Sequence, residues 1–195
     1  MLERVRGILF HPAEAFKETR QDTLSDAFKY FLPWLVFLAV LLTALVFGAL
    51  TATGISALLS EFFPLIIGGT FAGVLVGGFL LILYGSVWLH IFVFLLGGRK
   101  GLTQTFKAVA YGATPIYVLG WLPGPNILIA PIWALIVVIS GVMQLQEMTS
   151  GKAILVVLLA LLIPLAVACA VAFAVLMPML QPCLLYTSPS PRDRG

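Results

Sequence analysis

Few side chains in this chain could do chemistry from within an apolar setting, and they do not form a reactive set. His90 lies deep in an apolar stretch. It would suit a proton or metal site if a second His, Cys or carboxylate stood three or four residues away, and none does. We expect it to hydrogen-bond to a neighbouring helix or to trapped water. His11, beside Pro12, reads as a solvated or helix-capping residue. Cys169 and Cys183 have no metal or redox spacing, and Cys169 reads as a small hydrophobe. Gly97-Gly98-Arg99-Lys100-Gly101 and Gly151-Lys152-Ala153 both fail the phosphate-loop pattern, which needs G-x-x-x-x-G-K-[ST]. Pro115 has no N–H, so a carbonyl near Tyr111 needs a kink or another donor, such as the Thr114 hydroxyl. Pro115, Thr114 and His90 could therefore mark a hinge or a polar notch. With no nucleophile–base pair and no ligand cluster, neither an enzyme nor a cofactor or metal is expected.

Composition explains the scarcity. Of 195 residues, 61% are hydrophobic and only 10% charged, against roughly 25% charged in a typical globular chain. Mean hydropathy is +1.10. A soluble domain must still cover itself with polar surface, so a soluble enzyme, a disordered chain and a disulfide scaffold are excluded. The expected fold class is all-α, a polytopic bundle of transmembrane helices. The net charge of +3 is spread over too few groups for a nucleic-acid face.

The elements follow from the apolar runs. Residues 1–30 read as a cytoplasmic amphipathic segment, with Leu2, Val5, Ile8 and Leu9 on one side of a helix. Thr23-Leu24-Ser25-Asp26 has the form of a capping box. A transmembrane domain over 31–177 follows, with spans expected near 31–54, 66–97, 104–122, 127–145 and 153–177. Within these spans there is no Asp, Glu or Arg, and the only Lys is Lys107. Ion pathways and proton relays normally retain buried ionisable groups, so a proton-coupled transporter is disfavoured.

Residues 183–195 switch abruptly to Ser, Pro, Arg and Asp. The first eleven of them, through Asp193, match one reading frame of a widely used sequencing adapter, so we expect the segment not to be native. Nine Lys and Arg remain once that tail is set aside. A single long second span puts all nine on one side, with the amino terminus in the cytoplasm. The Pro123-Gly124-Pro125-Asn126 turn then falls outside. Gly69, Gly73, Gly77 and Gly85 form a stripe that would let another helix approach closely, in this chain or in a second copy.

From Leu96 to Ala153 the chain resembles the Yip1-domain family. The resemblance rests on L-G-G-R-K-G-L-T-Q-T-F-K-A-V-A-Y-G-A-T-P (96–115), W-L-P (121–123) and S-G-V-M-Q-L-Q-E-M-T-S-G-K-A (140–153). The motif positions are Gly98, Thr105, Phe106, Lys107, Tyr111, Pro115, Pro123, Gly141, Gly151, Lys152 and Ala153. Pro12-Ala13-Glu14-Ala15-Phe16 resembles the opening motif of prokaryotic members. The resemblance implies a five-span membrane protein. Eukaryotic members bind Rab-type GTPases, but their acidic Asp-Leu-Tyr-Gly-Pro-type segment is missing, which argues against that partner here. The expectation is a non-enzymatic protein of a bacterial or archaeal cell membrane. It would organise lipids, copies of itself or other membrane proteins. The alternative is a small transporter, channel or permease subunit, its path lined by His90 and Thr114.

Overall fold

The computed structural model describes residues 2–186, with side chains described through Met177 except those of Ser56 and Leu58. Two short helices, α1 (Leu2–Phe10) and α2 (Pro12–Glu18), lead into a 3₁₀ turn, Thr19–Gln21. Then come α3 (Leu24–Ala52), α4 (Ile55–Leu58), α5 (Phe63–Leu95), α6 (Leu102–Gly112), α7 (Thr114–Leu119), α8 (Ile129–Leu145) and α9 (Ser150–Tyr186). No strand occurs among the described residues. The reading of 183–195 as adapter falls mostly on residues 187–195, outside the described residues.

The chain divides at Val157 into two units, Met1–Val157 and Leu158–Gly195. The described part of the second unit is the continuation of α9, rich in Leu, Ala and Val, with the lipid-suited side chains Leu161, Leu165 and Phe173.

Among the described residues three helices are long and apolar enough to cross a membrane: Leu24–Ala52, Phe63–Leu95 and the Ser150–Met177 part of α9. The second span is one uninterrupted helix, Phe63–Leu95. The capping box at Thr23 is formed: the Thr23 N–H donates to Asp26 Oδ2 at 2.9 Å, and Asp26 N–H donates to Thr23 Oγ1 at 3.3 Å. Such a cap stabilises a helix start by about 1 kcal/mol.

No single helix covers the stretch 104–122 expected as the third span. α6 ends at Gly112 and α7 starts at Thr114, with Ala113 between them. Pro115 sits in the first turn of α7, where its missing N–H has no partner to lose. The Thr114 hydroxyl donates to the freed Tyr111 carbonyl, so kink and hydroxyl act together. α8 is apolar but has 17 residues, about 26 Å at 1.5 Å per residue, short of a ~30 Å hydrocarbon core.

Among the described residues of the first unit the glycine stripe meets no neighbour. A Cβ placed at Gly69, Gly73, Gly77 or Gly85 would meet nothing within 4 Å. The close approach is one residue along, at Gly78, whose added Cβ would lie 2.6 Å from Leu35 Cδ1 of α3. Helix α3 thus crosses α5 beside the stripe. A cluster of aromatic rings ties the same pair to α6, with Phe106 centred 5.1 Å from Phe28 and 5.9 Å from Phe31.

Candidate functional site at the basic end of the bundle

Chain order brings the starts of α3, α6 and α9 and the ends of α5 and α8 to one end of the bundle. The amino-terminal segment joins them there. Its apolar face is buried against the bundle: Val5, Ile8 and Phe16 are all covered. Helix α1 has Leu2 and Phe10 exposed on its other side. The indole N–H of Trp133 in α8 donates to Leu9 O at 3.2 Å.

Lys107 does the anchoring. It is fully buried, and its ammonium donates to three backbone carbonyls: Thr19 O at 3.0 Å, Arg20 O at 2.9 Å and Asp22 O at 3.0 Å. Three donors meet three acceptors, so the cation is fully satisfied without a carboxylate. These carbonyls belong to the 3₁₀ turn and its exit, a helix terminus that favours positive charge. One turn further along α6, the Tyr111 hydroxyl donates to Asp22 Oδ2 at 2.6 Å. Arg4 reaches the same carboxylate at 3.3 Å, and its guanidinium lies 5.8 Å from the centre of the Tyr111 ring.

Gly141 leaves room for the next contact. A Cβ there would stand 2.9 Å from Phe16 Cζ and 3.1 Å from Ala108 Cβ, so the Phe16 ring fills the gap between α6 and α8. The opening motif and two later motif segments therefore meet at one point.

A second network joins the loops. His90 Nδ1 and Thr105 Oγ1 lie 2.8 Å apart, and Gln146 Nε2 donates to Thr105 Oγ1 and to Gly101 O, each at 2.9 Å. Gln146 Oε1 accepts from Lys100 N at 3.1 Å. His90 is thus bonded to a neighbouring helix, as its isolation in the sequence suggested. Gly98 closes α5: its N–H donates to Val93 O at 2.8 Å, after Gly97 at φ 97°. This is a Schellman turn, with the left-handed residue that glycine adopts without strain.

Helix α8 ends the same way, but with Glu147 in the left-handed position, φ 53°. Its carboxylate is gripped by Lys100 at 2.6 Å and by Arg20 at 3.2 Å. Arg20 also donates twice to Gln144 O, at 2.7 and 3.1 Å. The Lys100 hydrogen bond, aided by the charges of Lys100 and Arg20, holds the Glu147 carboxyl below its usual value against the opposing cost of burial.

The other motif residues stand apart from these contacts. Ala153 is buried, whereas Gly151 and Lys152 are exposed. Pro123 lies in the exposed turn at the opposite end, with Gly124 at φ 97°. Thr114 is buried and pairs with Tyr30 Oη at 2.9 Å. His11 holds the N-cap position of α2 without a side-chain cap bond. Asp22, Arg20, Gln146 and Glu147 were missed as site residues. A buried Lys near a short amino-terminal segment was the available signal that carbonyls or carboxylates from that segment must meet it. Among the described residues no group of three or more His, Cys, Asp or Glu could hold a metal ion.

A family model described as Yip1 domain matches residues 6–174, which takes in both the amino-terminal segment and the helices that hold it. No curated protein and no solved structure matches the chain.

Proposed function

Since this chain belongs to the Yip1 domain family, we propose that it is a five-span, non-enzymatic integral membrane protein. It organises lipid or protein partners at the cytoplasmic face of a bacterial or archaeal cell membrane. One observation supports this most: the ionisable groups nearest the apolar core are committed to structure. Lys107 is bound to three carbonyls and His90 to Thr105. The Lys107 ammonium has no donor left to grip a solute. Among the described residues the remaining Lys and Arg are gathered at the basic end, where they can face headgroups or a partner.

The five-span count rests on α6 to α7 and α8 forming a hairpin around the Pro123–Asn126 turn. Each arm is about 26–27 Å long by helical rise, which local thinning of the bilayer accommodates. The gathering of Lys and Arg at one end supports a cytoplasmic position for that end. A transport path gains no support, because Tyr111 and Thr114 are buried and bonded to Asp22 and Tyr30.

Native mass spectrometry of the purified full chain, with crosslinking in intact membranes, tests the proposal. Retained lipid, or a specific crosslinked partner or second copy, is the expected result. A strictly monomeric species holding neither contradicts it.

A further inference from the structure

A polar pocket of about 450 Å³ opens beside α1, lined by Arg4, Asp22, Asp26, Lys29 and Tyr30. At ~30 Å³ per water it has room for roughly fifteen waters, or for a small polar headgroup with a few. Its depth is fixed by α3. The helix is polar through Lys29 and carries no charged residue from Tyr30 to Ala52, so the pocket lies where water gives way to hydrocarbon. The exposed Leu2 and Phe10 of α1 suit the same boundary.

We propose that this pocket binds the phosphoethanolamine headgroup of a zwitterionic membrane lipid, Arg4 and Lys29 taking the phosphate and Asp22 and Asp26 the ammonium. The inference deepens the partner-organising reading above and rests on it. The charges of the lining decide the class of ligand. Two cations and two carboxylates cancel, so a simple anion gains little net attraction, whereas a ligand carrying both signs can satisfy both pairs. The groups also have capacity to spare. Lys29 is exposed and, among the described residues, makes no hydrogen bond or ion pair. Asp26 uses Oδ2 for its cap, which leaves Oδ1 open. Arg4 and Asp22 meet only at 3.3 to 3.4 Å, a loose pair that a headgroup can bridge. A primary ammonium has N–H donors for the carboxylates, and a trimethylated one has none.

The test is native mass spectrometry of the full chain exchanged separately into phosphatidylethanolamine, phosphatidylcholine and phosphatidylglycerol. Phosphatidylethanolamine should be retained about tenfold better than either of the others. Lys29→Gln and Arg4→Gln should each reduce it to the phosphatidylcholine level. Among the described residues Lys29 makes no hydrogen bond or ion pair and acts only through its charge on Asp26, so its variant separates binding from folding. Equal retention of all three lipids overturns the proposal. So does a phosphatidylglycerol preference, or a phosphatidylethanolamine preference unchanged in both variants. A phosphatidylglycerol preference would leave the partner-organising reading intact, whereas no retained lipid and no protein partner would remove both.

Discussion

Lys107 offers three N–H donors, and the turn at Thr19–Asp22 offers three carbonyls. Replacing it with methionine keeps the bulk but strands those carbonyls. Charged hydrogen bonds are worth about 1.5–3 kcal/mol each and are not additive. Lys107→Met should therefore cost about 3 kcal/mol and free the amino-terminal segment. Limited trypsin digestion reports it: cleavage after Lys17 and Arg20 should be slow in the parent and fast in the variant. Glu147 makes a prediction about pH. Its folded carboxyl is depressed, so its stabilising contribution is present above the ordinary value near 4.5 and is lost as pH falls through the folded value. Glu147→Gln should lower the melting temperature near neutrality and make little difference in strong acid. An equal deficit at both pH values would contradict the ion-pair account. That Lys107 and His90 were exceptional was legible in the sequence. The partners of Lys107 were not, because Thr19 and Asp22 lie more than eighty residues away in the chain, and no periodicity encodes a contact between backbone carbonyls and a distant side chain.

Among the elements, the two kinds of glycine can be told apart by experiment. At Gly141 an added methyl must displace Phe16 and Ala108. Overpacking of about 1–3 kcal/mol should outweigh the helix-propensity gain of roughly 1 kcal/mol, so Gly141→Ala should destabilise the fold. At Gly77 nothing stands in the way, and Gly77→Ala should leave monomer unfolding unchanged or slightly improved. Parallel melting curves check both. The stripe was easy to read as a packing face, but spacing alone does not say whether the covering helix lies in the same chain. The break in the third stretch was readable, since Pro115 and the hydroxyl of Thr114 were both in view. Its position at Ala113 follows from seating the proline in the first turn of α7. Thr114→Val should remove the partners of both the Tyr111 carbonyl and the Tyr30 hydroxyl. Loss of about 2 kcal/mol is expected, measured by denaturant unfolding in detergent.

For the whole molecule, composition was enough for an all-helical membrane protein, and the long apolar runs gave α3, α5 and α9. Charge could not settle the short pair. Whether α6 to α8 cross the bilayer or dip into it and return, Arg99, Lys100 and Glu147 end on the same side, so the positive-inside bias is identical. Only the compartment of the Pro123–Asn126 turn distinguishes the two. The direct measurement uses single cysteines at Asn126 and Lys100, with Cys169 and Cys183 replaced, probed in intact cells by a membrane-impermeant thiol reagent. The account predicts labelling at position 126 from outside, and at position 100 only after the membrane is opened. Labelling of both from one side would contradict a five-span protein with its basic end in the cytoplasm.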